Sequence, residues 1–332
     1  MSEAKSLPET TLLPHHGDPV AELSALRTGA GHWSPSPDRL SMTGADRQRF
    51  LHGLVTCEVK ELLPGQGSYG FVSSAKGRIL ADIVVSCRAD DLLLELPAGL
   101  GATLREHLEK YIIADRVETA SAEELAPWIV AGPVAMAELA ERSGGALCET
   151  VAPWAGVEAT LGESEFWAVR RDHLGAPGWT LWAESSAAAA IEEALAAFSQ
   201  PVGALALEAL RVEHGQPAFG VDFGPDNFPK ETGLDDAVSY TKGCYLGQEV
   251  IARIHYRGGV NRRLCRVVPQ DGANLELGMD LSWDGRAVGT VTSLDRVSEE
   301  NAAGLAIVHK KAKEIVELPD GGTARLEENR SA

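Results

Sequence analysis

The sequence predicts an α+β protein, built from two α+β units in succession and a small C-terminal β-barrel. Three observations carry that expectation. Up to residue 198, strand-like apolar runs and helical periodicity alternate, and the order is repeated once, compatible with two ferredoxin-like halves. Beyond residue 263 the helical periodicity stops and only short β segments remain. The chain has 332 residues and 44% apolar content, and single cores stop growing at about 250–300 residues, so two or three domains are expected.

The elements follow in order. Residues 1–19 read as a mobile tail. Residues 39–43 read as a strand that leads into a helix over 44–54, where Phe50, Leu51 and Leu54 share one face. Gly65, Gly67 and Gly70 read as a turn region. Residues 78–85 and 92–96 form a hairpin around Ala89-Asp90-Asp91. A helix over 102–111 and a strand near 114–118 complete the first unit. The second has a strand at 128–131, a helix at 134–142, strands at 166–170 and 180–183, and an alanine-rich helix at 187–198. A further helix over 205–214 carries Arg211 and Glu213, which read either as ligand-binding groups or as a salt-bridged pair that ties domains together. The barrel strands are 264–268, 281–283, 286–294, 304–308 and 324–327, with Asp284-Gly285 as a tight hairpin turn. The acidic end, 327–332, reads as frayed. Domain boundaries follow: a tail 1–19, a first α+β domain 20–125, a second 126–260, and the barrel 261–332.

Charge and cysteines narrow the function classes. A net charge of −18 repels nucleic acid and anionic membranes, so any such contact must use a local basic patch. The five cysteines, without a CxxC pair or metal-ligand spacing, disfavour a disulfide framework and a structural zinc site. The N-terminal stretch lacks signal-peptide features and no apolar run is long enough to span a membrane. A reducing, cytoplasmic location is expected, with no membrane and no stable nucleic-acid partner.

One stretch departs from the acidic background. From Tyr240 to Arg266 the chain carries a net +5, leaving −23 for the remainder. A locally positive segment on an acidic protein suits an anionic ligand, and the competing reading is a solvated charge run. Within it, Lys242-Gly243-Cys244-Tyr245-Leu246-Gly247-Gln248-Glu249 packs two glycines, a thiol, an aromatic ring and an amide–carboxylate pair into eight residues. Lys242 and the surrounding positive charge would favour the thiolate of Cys244. The competing reading is a buried small residue. Trp33, Trp154 and Trp167 could stack on a planar ligand, or could simply pack.

The octapeptide resembles the K-G-C-Y-x-G-Q-E signature of the folate-binding YgfZ/GcvT-like family. Arg211-Val212-Glu213-His214-Gly215, Phe228-Pro229-Lys230-Glu231, Met42-Thr43-Gly44-Ala45-Asp46 and Lys76-Gly77-Arg78-Ile79-Leu80-Ala81-Asp82 extend the resemblance over residues 26–265. It implies a cloverleaf of two α+β domains and a barrel around a channel for tetrahydrofolate. Pterin needs polar partners and an aromatic face, and the folate tail is anionic. Asp82 is expected at that cofactor site. Tyr245, Gln248 and Glu249 would serve the pterin, and Arg211 and Arg253 the tail, with Cys244 as the reactive group and no metal site.

Two departures separate the chain from the family's aminomethyltransferases. Ala81 aligns with their catalytic aspartate, leaving only Asp82. Ala176, in Leu174-Gly175-Ala176-Pro177-Gly178, aligns with a pterin-reading glutamate. The resemblance therefore implies the YgfZ branch, associated with maturation or repair of iron–sulfur client proteins and, through them, tRNA modification. The alternatives are a tetrahydrofolate-dependent aminomethyltransferase or demethylase using Asp82, and an RNA-binding module working through residues 253–266.

Overall fold

The structure, a computed structural model, describes residues 12–298 and 302–328; the outer parts of the expected tail and of the acidic end lie outside the described residues. Two mixed layers of sheet and helix and a closed six-stranded barrel make up the fold, as the sequence predicts. The first sheet has five strands, with Ile79–Cys87 between Gly67–Ser73 and Leu92–Leu96, followed by Asp38–Thr43 and Glu118–Ser121. All its pairings are antiparallel. Its core holds Met42, Leu51, Val85, Leu94 and Leu108, with the helix Gly101–Glu109 packed on it.

The second sheet has six strands and recruits the N-terminal segment. Gly31–Trp33 pairs with Leu125–Ala131 on one side and with Gln200–Pro201 on the other. Residues 19–33, which the expected division gives to the first α+β domain, pack with the second unit, where Leu26 lies among apolar partners such as Ile129, Val202 and Leu210. That segment starts with a helix, Pro19–Thr28, with Asp18 accepting from the Val20 N–H at 2.9 Å and proline in its first turn.

The described part of the expected tail is docked. The carbonyls of Leu13 and Pro14 accept from Ala204 and Leu205, and buried Glu22 accepts from Gly203 at 2.9 Å. These three acceptors satisfy the free N–H groups at the start of the helix Ala204–Glu213, which has no side-chain cap of its own. The acidic end is likewise ordered as far as it is described. Glu327 and Glu328 lie in the strand Thr323–Glu328, where Arg266 pairs with Glu327 at 2.8 Å.

Gly67 and Gly70 also depart from expectation, since they lie in a strand. A Cβ on Gly67 would stand 2.4 Å from the Trp154 carbonyl, and one on Gly70 2.7 Å from the Cys57 side chain. Glycine is there to let another segment approach, which in sequence looks the same as a turn. In the barrel, Asp284 and Gly285 both take positive φ, 53° and 68°, as the two-residue hairpin requires.

The segment after Glu213 leaves the second unit and lies on the first. Thr56 donates to Ala237, the Ser239 N–H to Thr56, and the Leu246 N–H to Gly53. The octapeptide, which the expected division gives to the second α+β domain, thus lies in space against the first unit.

Candidate functional site

A cleft of about 350 Å³ opens between the two sheets. Strand alternation decides which side chains reach it. On Ile79–Cys87, Asp82 faces the cleft whereas Ala81 is fully buried in the first core. An aspartate at position 81 would point into that core, so the methyl there removes nothing from the cleft. Ala176, similarly, packs in the core between the second sheet and the helix Ala204–Glu213.

One wall is aromatic. The rings of Tyr69 and Trp154 stack at 5.4 Å and 10°, and both line the cleft. Trp154 holds φ at 64°, a left-handed conformation that bulky side chains rarely adopt. The Tyr69 hydroxyl donates to Asp82 Oδ2 at 3.1 Å. Burial pushes the Asp82 carboxyl up to about 6, against the opposing pull of the Tyr69 hydrogen bond. Asp82 is therefore a carboxyl that can hold or release a proton near neutral pH.

The rest of the lining includes polar groups that cross between the units, with Arg171 lying 6.0 Å over the Trp154 ring. Arg171 of the second sheet pairs with Glu95 of the first at 2.8 Å, both largely buried. His173 is held well below 6.5 by burial and by the Arg171 charge, so its ring is neutral. Arg211 reaches the cleft too, with every guanidinium nitrogen engaged. Nε and Nη2 hold Glu208, Nη1 holds the Gln216 carbonyl and Asp222, and Nη2 also meets Ser293 of the barrel. This is the domain-tying reading of Arg211, with Asp222 as partner; Glu213 instead pairs with Arg27 at 2.6 Å.

The octapeptide forms a separate site. Lys242 is buried, and its Nζ donates to the carbonyls of His52, Val55 and Cys57 at 2.7, 2.8 and 2.6 Å. The expected pairing of this ammonium with the Cys244 thiol gives way to a clamp on the loop after the helix Arg47–His52. Cys244 is the exposed residue beyond that clamp, while Cys57, Cys87 and Cys265 are buried. Tyr245 turns inward among Phe71, Ile79 and Phe223, and its hydroxyl has no hydrogen-bond partner among the described residues. Gly247 takes φ 82°, and a Cβ there would stand 2.4 Å from the Ser74 carbonyl, so the second glycine of the motif is a packing requirement. Gln248, Glu249 and Arg253 lie on the short helix Gln248–Arg253, and the exposed Glu249–Arg253 pair spans 3.0 Å.

Of the residues singled out from sequence, the structure brings Asp82, Trp154 and Arg211 to the cleft and leaves Cys244, Tyr245, Gln248, Glu249 and Arg253 off its walls. An aromatic cluster spans the two places. Tyr69 and Phe219 end at the cleft, Tyr245 lies toward the octapeptide, and Phe71 and Phe223 join them. Sequence reasoning missed Tyr69, Glu95 and Arg171, which carry no local motif and meet only through sheet packing. No group of three or more metal-ligating side chains is placed to hold an ion among the described residues, and no helix among them is long and apolar enough to cross a membrane.

Comparison with known proteins gives a consistent answer. The family model described as the GCVT N-terminal domain matches residues 15–242. The chain is 28% identical over 295 residues to a putative chloroplastic transferase of Arabidopsis thaliana, covering 83% of this chain but 64%, under two thirds, of that protein. It is 30% identical to the tRNA-modifying protein YgfZ of Yersinia pseudotuberculosis and 29% to that of Klebsiella pneumoniae, covering 78% and 76% of both chains in each pairing. Among solved structures, the glycine cleavage system aminomethyltransferase T of Bartonella henselae superposes with a TM-score of 0.82 over 94% of this chain and 89% of that one, at 22% identity, a likeness of fold. With the family model covering most of its length and the YgfZ proteins matching across domains, the chain belongs to the GCVT N-terminal domain family, in its YgfZ/GcvT-like group.

Proposed function

We propose that this protein binds tetrahydrofolate in the cleft between its two sheets and serves as an accessory factor in the maturation or repair of iron–sulfur client proteins, with an effect on tRNA modification through them. The observation that carries the reading is the stacked Tyr69–Trp154 wall beside Asp82. Tested against the cofactor, the residues fit. A flat pterin can lie against the aromatic pair, and its amino and ring N–H donors match the carboxylates of Asp82 and Glu95. The cleft volume lies in the range of small-molecule sites. Arg211, fully engaged, has no donor left for the tail, and Arg253 is off the cleft; Arg171 is the cation at hand, shared with Glu95.

Cys244 supplies the second half of the proposal. It is an exposed thiol on a loop clamped by Lys242, suited to a transient exchange with a client. A single cysteine cannot hold a cluster by itself, as stable clusters take about four ligands, so any cluster would be shared with the client. Calorimetric titration with tetrahydrofolate under anaerobic conditions is expected to give saturable binding. Trp154→Ala should weaken it by about tenfold, the worth of one aromatic stacking contact. Cys244→Ala should leave that affinity unchanged and lower the activity of client cluster enzymes. Absence of binding in the wild type would refute the folate half, and full client activity in Cys244→Ala the other.

The position of Asp82 favours a second reading, a tetrahydrofolate-dependent one-carbon transferase or demethylase, in which this carboxyl holds or accepts a proton beside the cofactor. Formation of methylene- or methyl-folate from aminomethyl or N-methyl donors, lost in Asp82→Asn, would support it. No product across a panel of such donors would reject it.

A further inference from the structure

Immediately after the octapeptide, the helix Gln248–Arg253 continues into a single π-helical turn, Ile254–Gly258. The change of pitch, of a kind often found at functional sites, brings the His255 and Tyr256 rings together beside Tyr240 of the preceding loop. His255 stacks on Tyr240 at 3.8 Å and 24°, and Tyr256 stands perpendicular to His255 at 4.7 Å. Tyr256 is 67% exposed, and no cluster of buried apolar side chains includes it. Arg257 is exposed beside it and has no ion pair or hydrogen bond among the described residues. Among the described residues Arg253 pairs with Glu249 alone, and that pair is open to water on both sides. Asp235, on the segment before Tyr240, is paired with Lys230 at 2.8 Å.

We infer that this surface, Tyr240, His255 and Tyr256 with Arg253 and Arg257, is a docking platform for single-stranded RNA. An exposed ring beside solvent-facing guanidinium groups is an arrangement that takes an unstacked base and its phosphates, because every base has a face to stack and arginine can hold a phosphate with two N–H donors. A duplex keeps its bases stacked and offers Tyr256 nothing to lie on. The acidity of the remaining surface confines contact to this patch, since a phosphate chain is repelled wherever else it comes near. A weak, local and moderately salt-dependent interaction follows. It is independent of the folate cleft, which shares none of these residues.

The test is fluorescence anisotropy of a labelled single-stranded oligoribonucleotide of mixed sequence and of the corresponding duplex, with the full-length protein at 50 to 200 mM salt. Saturable binding to the single strand and weaker binding to the duplex are expected. With two phosphate contacts, the log–log salt slope should be about −1.4. Tyr256→Ala should weaken binding by about tenfold, and Arg257→Ala should flatten the slope by about 0.7. Both side chains are exposed, so neither variant threatens folding, and Arg105→Ala on the far helix should change nothing. No saturable binding at 50 mM salt, equal binding of duplex, or indifference to Tyr256→Ala would each overturn the assignment. Loss of client-enzyme activity in Tyr256→Ala without any RNA binding would also overturn it, and would assign the platform to a protein partner.

Discussion

Replacing Lys242 with methionine is expected to cost the protein about 3–5 kcal/mol of stability at pH 7. The side chain is buried, and its Nζ is the shared donor to the carbonyls of His52, Val55 and Cys57. Methionine fills similar volume but leaves those acceptors facing an apolar group, and each buried unpaired polar group costs about 1–3 kcal/mol. Burial holds the Lys242 ammonium down at about 8, so it remains charged at pH 7. That value lies below the 10.5 of an unfolded lysine, so between about pH 8 and 10.5 the unfolded chain binds more protons. Stability contributed through this group therefore rises with pH across that window, and Lys242→Met should lack the slope. Urea unfolding from pH 7 to 10 measures both effects, with Lys60→Met at an exposed position as a control expected within about 0.5 kcal/mol of wild type. A loss below about 1 kcal/mol at pH 7 would show that the backbone bonds from Ser239 and Leu246 hold the loop unaided. The functional consequence lies two residues away, because the clamp fixes the loop that presents Cys244.

The fold was legible where the signal is local. Helix 134–142 and strands 92–96 and 286–294 read correctly because their apolar patterns and flanking turns are local, and Asp284-Gly285 fixed its turn through backbone conformation alone. What could not be read depends on distant partners. Gly67 and Gly70 look like turn residues until Trp154 and Cys57 are seen lying against them. The N-terminal strand Gly31–Trp33 is three residues long and acquires meaning only from Leu125–Ala131 and Gln200–Pro201. For the site, the octapeptide was conspicuous because unusual residues crowd together, yet that density mixes several roles: Lys242 a clamp, Gly247 a close approach, Tyr245 core, Cys244 exposed. Apart from Trp154 and Asp82 the cleft was nearly silent in sequence, since Tyr69, Glu95 and Arg171 are spread over 103 positions and meet only when the two sheets face each other.

Asp82→Asn should make the protein more stable at pH 7.5 and less competent. The carboxyl titrates at about 6 in the folded protein, above the 3.8 of its unfolded form. Between those values the native state binds more protons than the unfolded chain, so stability falls as pH rises from about 4 to 6, and the whole penalty is present above that. Asparagine keeps the shape and can still accept from the Tyr69 hydroxyl, but carries no charge to desolvate. A gain of about 1–3 kcal/mol at pH 7.5 is expected from the shift of roughly two units, fading to nothing below pH 4; thermal unfolding at the two pH values reads it directly. Destabilisation at both would mean that the carboxylate is held by contacts that asparagine cannot reproduce, and that Asp82 is structural. A core position would gain nothing from keeping a charge that opposes folding. A destabilising carboxylate beside a stacked aromatic pair, on the wall of a cleft, is the pattern of a group retained for what it does to a ligand, and the same variant should therefore lose the pH dependence of folate binding near pH 6.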